Sequence, residues 1–235
     1  MGYAQKAKID VVGTGALIAG NIVLTCAHNC YHKDYNSDKQ LISEEEVVNL
    51  KFFPSLEGKP QRDVKINNIY YAKGYSNREK KDQSKYDFAI LELDEDLSKE
   101  CGSFSVDASE KNYEPKTETL FLAGYPMEKQ VIEKDKTWQE LNYKMWWDEN
   151  KGEEEKTYID EHFIYYKIAS SYGNSGGPIF KREKDKFTIV GIHIGGGKEN
   201  KDFNRAVRLT PERRSIINCW IGKTGKLSLG KSPPT

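Results

Sequence analysis

The sequence predicts an all-β protein of two barrel-like halves, with five or six strands in each, followed by a single C-terminal helix. Three observations carry this. Short runs rich in β-branched and aromatic residues recur from the start, turn residues separate them, and a polar, irregular stretch at 94–117 splits them into two sets. The halves are placed at 1–108 and 109–235.

The first set of runs covers 8–19, 21–26, 47–53, 63–72 and 87–93. Gly20-Asn21 is a hairpin signal between the first two, and Pro54, Gly58 and Pro60 supply the loop after the third. The second set covers 119–125, 137–147, 162–169, 177–181, 187–195 and 204–209. Pro211 suits the first turn of a helix, which is expected to run through Ile221. Asp148 to Glu161 is dense in acidic residues and lysine and reads as a solvated loop, and 230–235 reads as a disordered end.

A chain of 235 residues is long enough to bury a proper core. Thirty-six basic and thirty-six acidic residues cancel, which removes the electrostatic case for nucleic acid or an anionic membrane as partner. No run of 18 apolar residues and no secretory signal pattern is present. Cys26 and Cys30 bracket His28 and invite a zinc reading, but no second ligand pair stands at suitable spacing, and buried free thiols are the better account. Neither a metal nor an organic cofactor is expected.

The stretch Ser170-Ser171-Tyr172-Gly173-Asn174-Ser175-Gly176-Gly177-Pro178 places one serine among glycines. Glycine tolerates positive φ, so amides flanking Ser175 can converge on a developing oxyanion. A serine nucleophile needs a base, and the base needs an orienting group. His28 ends the apolar run Ile22 to Ala27, and Asp87 immediately precedes the apolar run from Phe88 to Leu91. Each residue alone has a plainer reading, as a strand-end histidine and a turn aspartate. Their order with Ser175, at separations of 59 and 88 residues, is one of those known for a catalytic triad.

The stretches LTCAHN (24–29), YDFAIL (86–91) and GNSGGP (173–178) resemble the three active-site signatures of the chymotrypsin-like, or trypsin-like, serine proteases. Gly124-Tyr125-Pro126, Gly191 to Gly196 and Ala206 to Leu209 are closer to the glutamyl endopeptidases than to trypsin. The resemblance implies two six-stranded antiparallel β-barrels of the chymotrypsin type. In it His28 is the general base, Asp87 its orienter and Ser175 the nucleophile, with the Gly173 and Ser175 amides as the oxyanion hole. It also implies an acid-preferring pocket in which Ser170 and His193 hold the substrate carboxylate and Gly195 and Gly196 form a wall. Ala169 stands where enzymes that cut after Lys or Arg carry an acid, which argues against basic specificity.

The implied function is a serine endopeptidase that works as a monomer on protein or peptide substrates, with secretion as the compartment suggested by the resemblance. The alternatives are a catalytically incompetent, protease-like binding domain, or a protease with small or apolar specificity. Two departures from the family stand out. Asn174 replaces the usual Asp before the nucleophile, so it cannot pair as an anion with a new N-terminal ammonium. The usual disulfide beside the histidine has no counterpart.

Overall fold

A computed structural model describes residues 13–35, 41–47, 50–55, 58, 62–77, 82–106, 118–126, 144–150, 157–196 and 202–224. The amino-terminal sheet has four strands in the order β1 (Ala16–Ala19), β2 (Ile22–Thr25), β6 (Ala89–Leu93), β5 (Ile66–Tyr71). A two-stranded ribbon, β3 (Tyr31–Tyr35) with β4 (Leu41–Glu46), rises beside it. As expected, the first two strands form a hairpin; Ala19 pairs with Ile22, and Gly20 turns the chain at φ +29°.

The second half is one eight-stranded sheet. Its strands are β7 (Ser105–Val106), β8 (Phe121–Gly124), β9 (Trp146–Glu149), β10 (Thr157–Ile159), β11 (Phe163–Tyr166), β12 (Pro178–Glu183), β13 (Lys186–Gly196) and β14 (Asn204–Arg208). The order is β10-β11-β14-β13-β12-β8-β9, and β7 pairs in parallel with β13. Two four-residue helices, α1 (Lys73–Ser76) and α2 (Ser98–Cys101), and the C-terminal helix α3 (Pro211–Lys223) complete the elements.

Some strands lay outside the sequence reading. The β3–β4 ribbon is mostly polar, and a ribbon off the main sheet need not show apolar alternation. β10, at three residues, and β7, at two, are too short to display a period; β10 lies within the segment read as a solvated loop. Conversely, the run 47–53 contributes among its described residues only an isolated bridge from Phe52 to Val64. Residues 8–12, 137–143, 151–156, 230–235 and the 108/109 boundary lie outside the described residues.

The halves share an apolar core. Ile22, Leu24, Phe88 and Ile90 from the first sheet join Phe163, Ile192, Val207 and, from α3, Ile217 and Ile221. Helix α3 starts as its sequence demands: Pro211 occupies the first turn and the Thr210 side chain accepts from the Arg213 N–H at 3.4 Å. Buried Arg213 then donates to the carbonyls of Arg208 at 2.8 Å and Lys85 at 2.9 Å, so one guanidinium links the helix to the chain just before β6. The Trp220 ring lies 5.5 Å from that of Phe88.

Candidate active site

Strand pairing brings the sequence-predicted base and acid together. β2 and β6 run antiparallel with Thr25 opposite Ala89, so the residues just after β2 and just before β6 emerge at the same sheet end. There His28 sits in a one-turn 3-10 helix (Ala27–Asn29), and Asp87 follows another (Ser84–Tyr86). Asp87 is 5% exposed, and burying a carboxylate is costly unless it is bonded. It is bonded twice by one residue: Oδ1 accepts the His28 backbone N–H at 2.9 Å, and Oδ2 meets Nδ1 at 2.7 Å. The second contact fixes the ring and assigns its proton to Nδ1. Burial opposes the charged imidazole, but the Asp87 carboxylate and the Cys26 sulfur together outweigh it and hold the His28 pKa well above its ordinary value.

Nε2 of His28 faces Cys26 Sγ at 3.5 Å. Among the described residues the Ser175 hydroxyl makes no hydrogen bond, so no such bond links it to His28. Catalytic hydrogen bonds in unliganded enzymes are often long and tighten with substrate. Burial pushes the Cys26 thiol up, which keeps it a neutral S–H beside the ring.

The loop that carries Ser175 is held by groups that sequence reasoning passed over. The Ser175 carbonyl accepts from the Thr14 N–H at 2.7 Å and from Asn29 Nδ2 at 2.9 Å. Thr14 Oγ1 donates to the Gly173 carbonyl at 2.8 Å and accepts from the Tyr125 N–H at 3.0 Å. Gly176, at φ +85°, leaves no room for a side chain: a Cβ would stand 2.2 Å from both the Thr14 carbonyl oxygen and Thr25 Oγ1. Gly173 has φ +97°. Among the described residues neither the Gly173 nor the Ser175 N–H has a hydrogen-bond partner, while Asn174 donates to Ser171 and Gly176 to His193. Asn174 is buried, with its Oδ1 unpartnered among the described residues.

His193 lies in β13, 2% exposed, and the fully buried Tyr166 of β11 hydrogen-bonds to its Nδ1. Among the described residues the Tyr166 hydroxyl has no other partner, so donation to Nδ1 is the arrangement that leaves no buried O–H unmet. The ring proton then belongs on Nε2, which has no partner among the described residues. Burial, then the charge of His28, lowers the His193 pKa to about 3, so the ring is neutral. No hydrogen bond joins Ser170 to His193 among the described residues. Beyond His193 the β13–β14 register shifts, Gly195 adopts φ +114°, and a Cβ on Gly195 or Gly196 would meet open space.

Sequence and fold comparisons agree on the class of protein. The trypsin family model matches residues 3–212. Glutamyl endopeptidases of Staphylococcus aureus strains MW2 and N315 are each 29% identical over 100 residues, 43% of this chain and 24% and 23% of theirs. The match thus spans about a quarter of those relatives. A solved structure of a Glu endopeptidase in complex with MPD superposes with a TM-score of 0.66 at 23% identity, covering 91% of this chain and 87% of the other. The protease Anisep from Arthrobacter nicotinovorans gives 0.54 at 14% identity, with 88% and 86% covered. These structural likenesses establish the fold as the chymotrypsin-like double barrel.

Proposed function

Because the chain belongs to the trypsin family, we propose that it is a serine endopeptidase that cuts peptide bonds through an acyl-enzyme, with Glu or Asp preferred before the cut. The first barrel, read as 1–108, supplies His28 and Asp87, and the second, read as 109–235, supplies Ser175; β7 (Ser105–Val106), inside the first range, pairs with β13 of the second. The observation that carries the reading is the double grip of Asp87 on His28, because it keeps one ring proton on Nδ1 and, once the imidazolium has given up its other proton, leaves Nε2 with the lone pair for a serine proton.

In the proposed reaction Ser175 Oγ attacks the scissile carbonyl carbon while its proton passes to Nε2. The oxygen of the tetrahedral intermediate takes hydrogen bonds from the Gly173 and Ser175 amides. Collapse breaks the C–N bond, and Nε2 returns its proton to the leaving amine. Water then repeats the attack on the ester and frees the acid and Ser175.

The acidic preference rests on His193. A neutral imidazole whose Nδ1 is occupied by Tyr166 presents Nε2–H as a fixed donor, and with the Ser170 hydroxyl it suits a carboxylate. Gly195 and Gly196 leave space for the substrate side chain. The similarity to glutamyl endopeptidases supports the same preference. Digestion of a denatured protein mixture, with Ser175→Ala as control, tests both levels by mass spectrometry. New termini after Glu or Asp are expected; termini after other residues would remove the pocket assignment and keep the protease.

The contact of His28 Nε2 with Cys26, and the unpartnered Ser175 hydroxyl, favour one second reading: a protease-like binding domain. A fluorophosphonate probe separates the two. Labelling abolished by Ser175→Ala supports the enzyme, and no labelling of folded protein supports the binding domain.

A further inference from the structure

The contact between Cys26 Sγ and His28 Nε2 plays no part in the proposed reaction, and its geometry points to a site for a thiophilic divalent cation of the zinc class, held by these two atoms. The sulfur and nitrogen are 3.5 Å apart. An ion with tetrahedral bonds of 2.3 Å to sulfur and 2.0–2.1 Å to nitrogen separates its two ligands by about 3.6 Å. The pair therefore stands at the separation expected of two ligands of one ion.

A second feature is independent of the thiol. Metal-bound histidines commonly donate their other ring N–H to a carboxylate, which fixes the tautomer and strengthens the ligand. Asp87 Oδ2 occupies that place on Nδ1 at 2.7 Å. Cys26, His28 and Asp87 lie in one cluster with their ligand atoms within 4.8 Å of one another. Asp87 acts there as the outer partner, since it already binds the nitrogen opposite Nε2. Cys30 is not a ligand, because its Sγ is directed at the Cys26 carbonyl at 3.8 Å.

Access is through the histidine. The Cys26 thiol is fully buried, while the His28 side chain is 30% exposed, so an ion reaches Nε2 from solvent and the sulfur closes behind it. On binding, the thiol proton and the Nε2 proton of the charged imidazole leave to solvent, one lone pair from Sγ and one from Nε2 form the two bonds, and water fills the remaining positions. No electron transfer is involved. The bound ion occupies the lone pair that would take the serine proton, so zinc inhibits. That consequence rests on the reading of His28 as the base; the binding itself does not.

The test uses the full chain with the exposed thiols removed as Cys101→Ser/Cys219→Ser. Titration with Co²⁺ should produce the sulfur-to-cobalt charge-transfer absorption, displaced by Zn²⁺. Cys30→Ala should keep the band, whereas Cys26→Ala and, separately, His28→Gln should weaken Co²⁺ binding at least tenfold and remove it. Circular dichroism establishes that each variant is folded, and having two variants guards against loss of one. Absence of the band, or a band that survives either substitution in folded protein, overturns the site. Because the band needs no turnover, a chain that cleaves nothing still gives an answer. In a chain that does cleave, zinc that binds with this signature and leaves turnover unchanged overturns Nε2 as the ligand.

Discussion

The Tyr166 hydroxyl donates to Nδ1 of His193, and both groups are buried between β11 and β13. One phenol thereby decides which nitrogen of the neighbouring imidazole carries a proton, and so turns a histidine into a one-directional donor. Tyr166→Phe removes that decision while keeping the ring. In the proposed pocket kcat/KM for Glu peptides should fall by ~1–2 kcal/mol, about tenfold, with Leu or Ala peptides nearly unchanged. His193→Ala should cost more on the same substrates, on the order of 2–4 kcal/mol. Equal losses across all peptides would sink the pocket assignment.

His193 also sets a pH dependence of stability. Its pKa is about 3 when folded, against 6.5 for a free imidazole, with burial as the main cause and the His28 charge as the second. Below pH 6.5 the unfolded chain takes up a proton that the native state refuses. Stability therefore falls as pH drops from 6.5 towards 3, by up to ~1.4 kcal/mol per pH unit, and this contribution levels off below 3. Urea unfolding of wild type and His193→Gln between pH 7 and pH 4 isolates it. The variant should lose stability less steeply, by close to one proton; parallel slopes would mean that His193 is not the group refused.

Asp87→Asn keeps an oxygen for the His28 backbone N–H but cannot accept the Nδ1 proton if its amide turns towards the ring. The imidazole then carries its proton on Nε2 and offers no lone pair to the serine. Turnover should drop by about three to four orders of magnitude with the melting temperature little changed. A variant that retains a tenth of wild-type activity would show that the grip on Nδ1 does not govern the base.

Gly176→Ala tests the packing of the loop. The new methyl would stand 2.2 Å from the Thr14 carbonyl oxygen and Thr25 Oγ1, at a φ of +85° that side chains avoid. Neither neighbour can retreat easily, since Thr25 Oγ1 donates to that same carbonyl at 2.8 Å. The expected cost is ~3 kcal/mol or more, read as a lower denaturant midpoint or a failure to fold.

The residues proposed to carry the chemistry were legible because such chemistry restricts both residue type and position: His28 and Asp87 each adjoin an apolar run, and Ser175 lies among glycines. Strand pairing then had only one sheet end at which to join the first two. The supports were not legible. Thr14, Asn29 and Tyr166 act through hydrogen bonds to residues far off in the chain, and a Thr, an Asn and a strand Tyr are ordinary in the positions they occupy. Cys26 was visible as a thiol beside a histidine, but its orientation onto Nε2 depends on the turn at Ala27–Asn29. Two of the missed strands have a different cause: β7 and β10 are shorter than any period that could reveal them.

Thr14 is the support whose loss should be felt in both stability and rate. Its hydroxyl donates to the Gly173 carbonyl and accepts from the Tyr125 N–H, and its own amide donates to the Ser175 carbonyl. Thr14→Val keeps the shape and the backbone bond but removes the hydroxyl that the Gly173 carbonyl and the Tyr125 N–H share. At ~1–3 kcal/mol for a hydrogen bond lost by a buried group, stability should fall by ~1–3 kcal/mol. The Gly173 carbonyl belongs to the Gly173–Asn174 peptide, which lies between the two amides of the proposed oxyanion hole, so fluorophosphonate labelling should slow by more than tenfold under conditions where the variant is fully folded. A variant that melts earlier but labels at the wild-type rate would reduce Thr14 to a structural post, because the nucleophile loop would then hold its geometry without the hydroxyl.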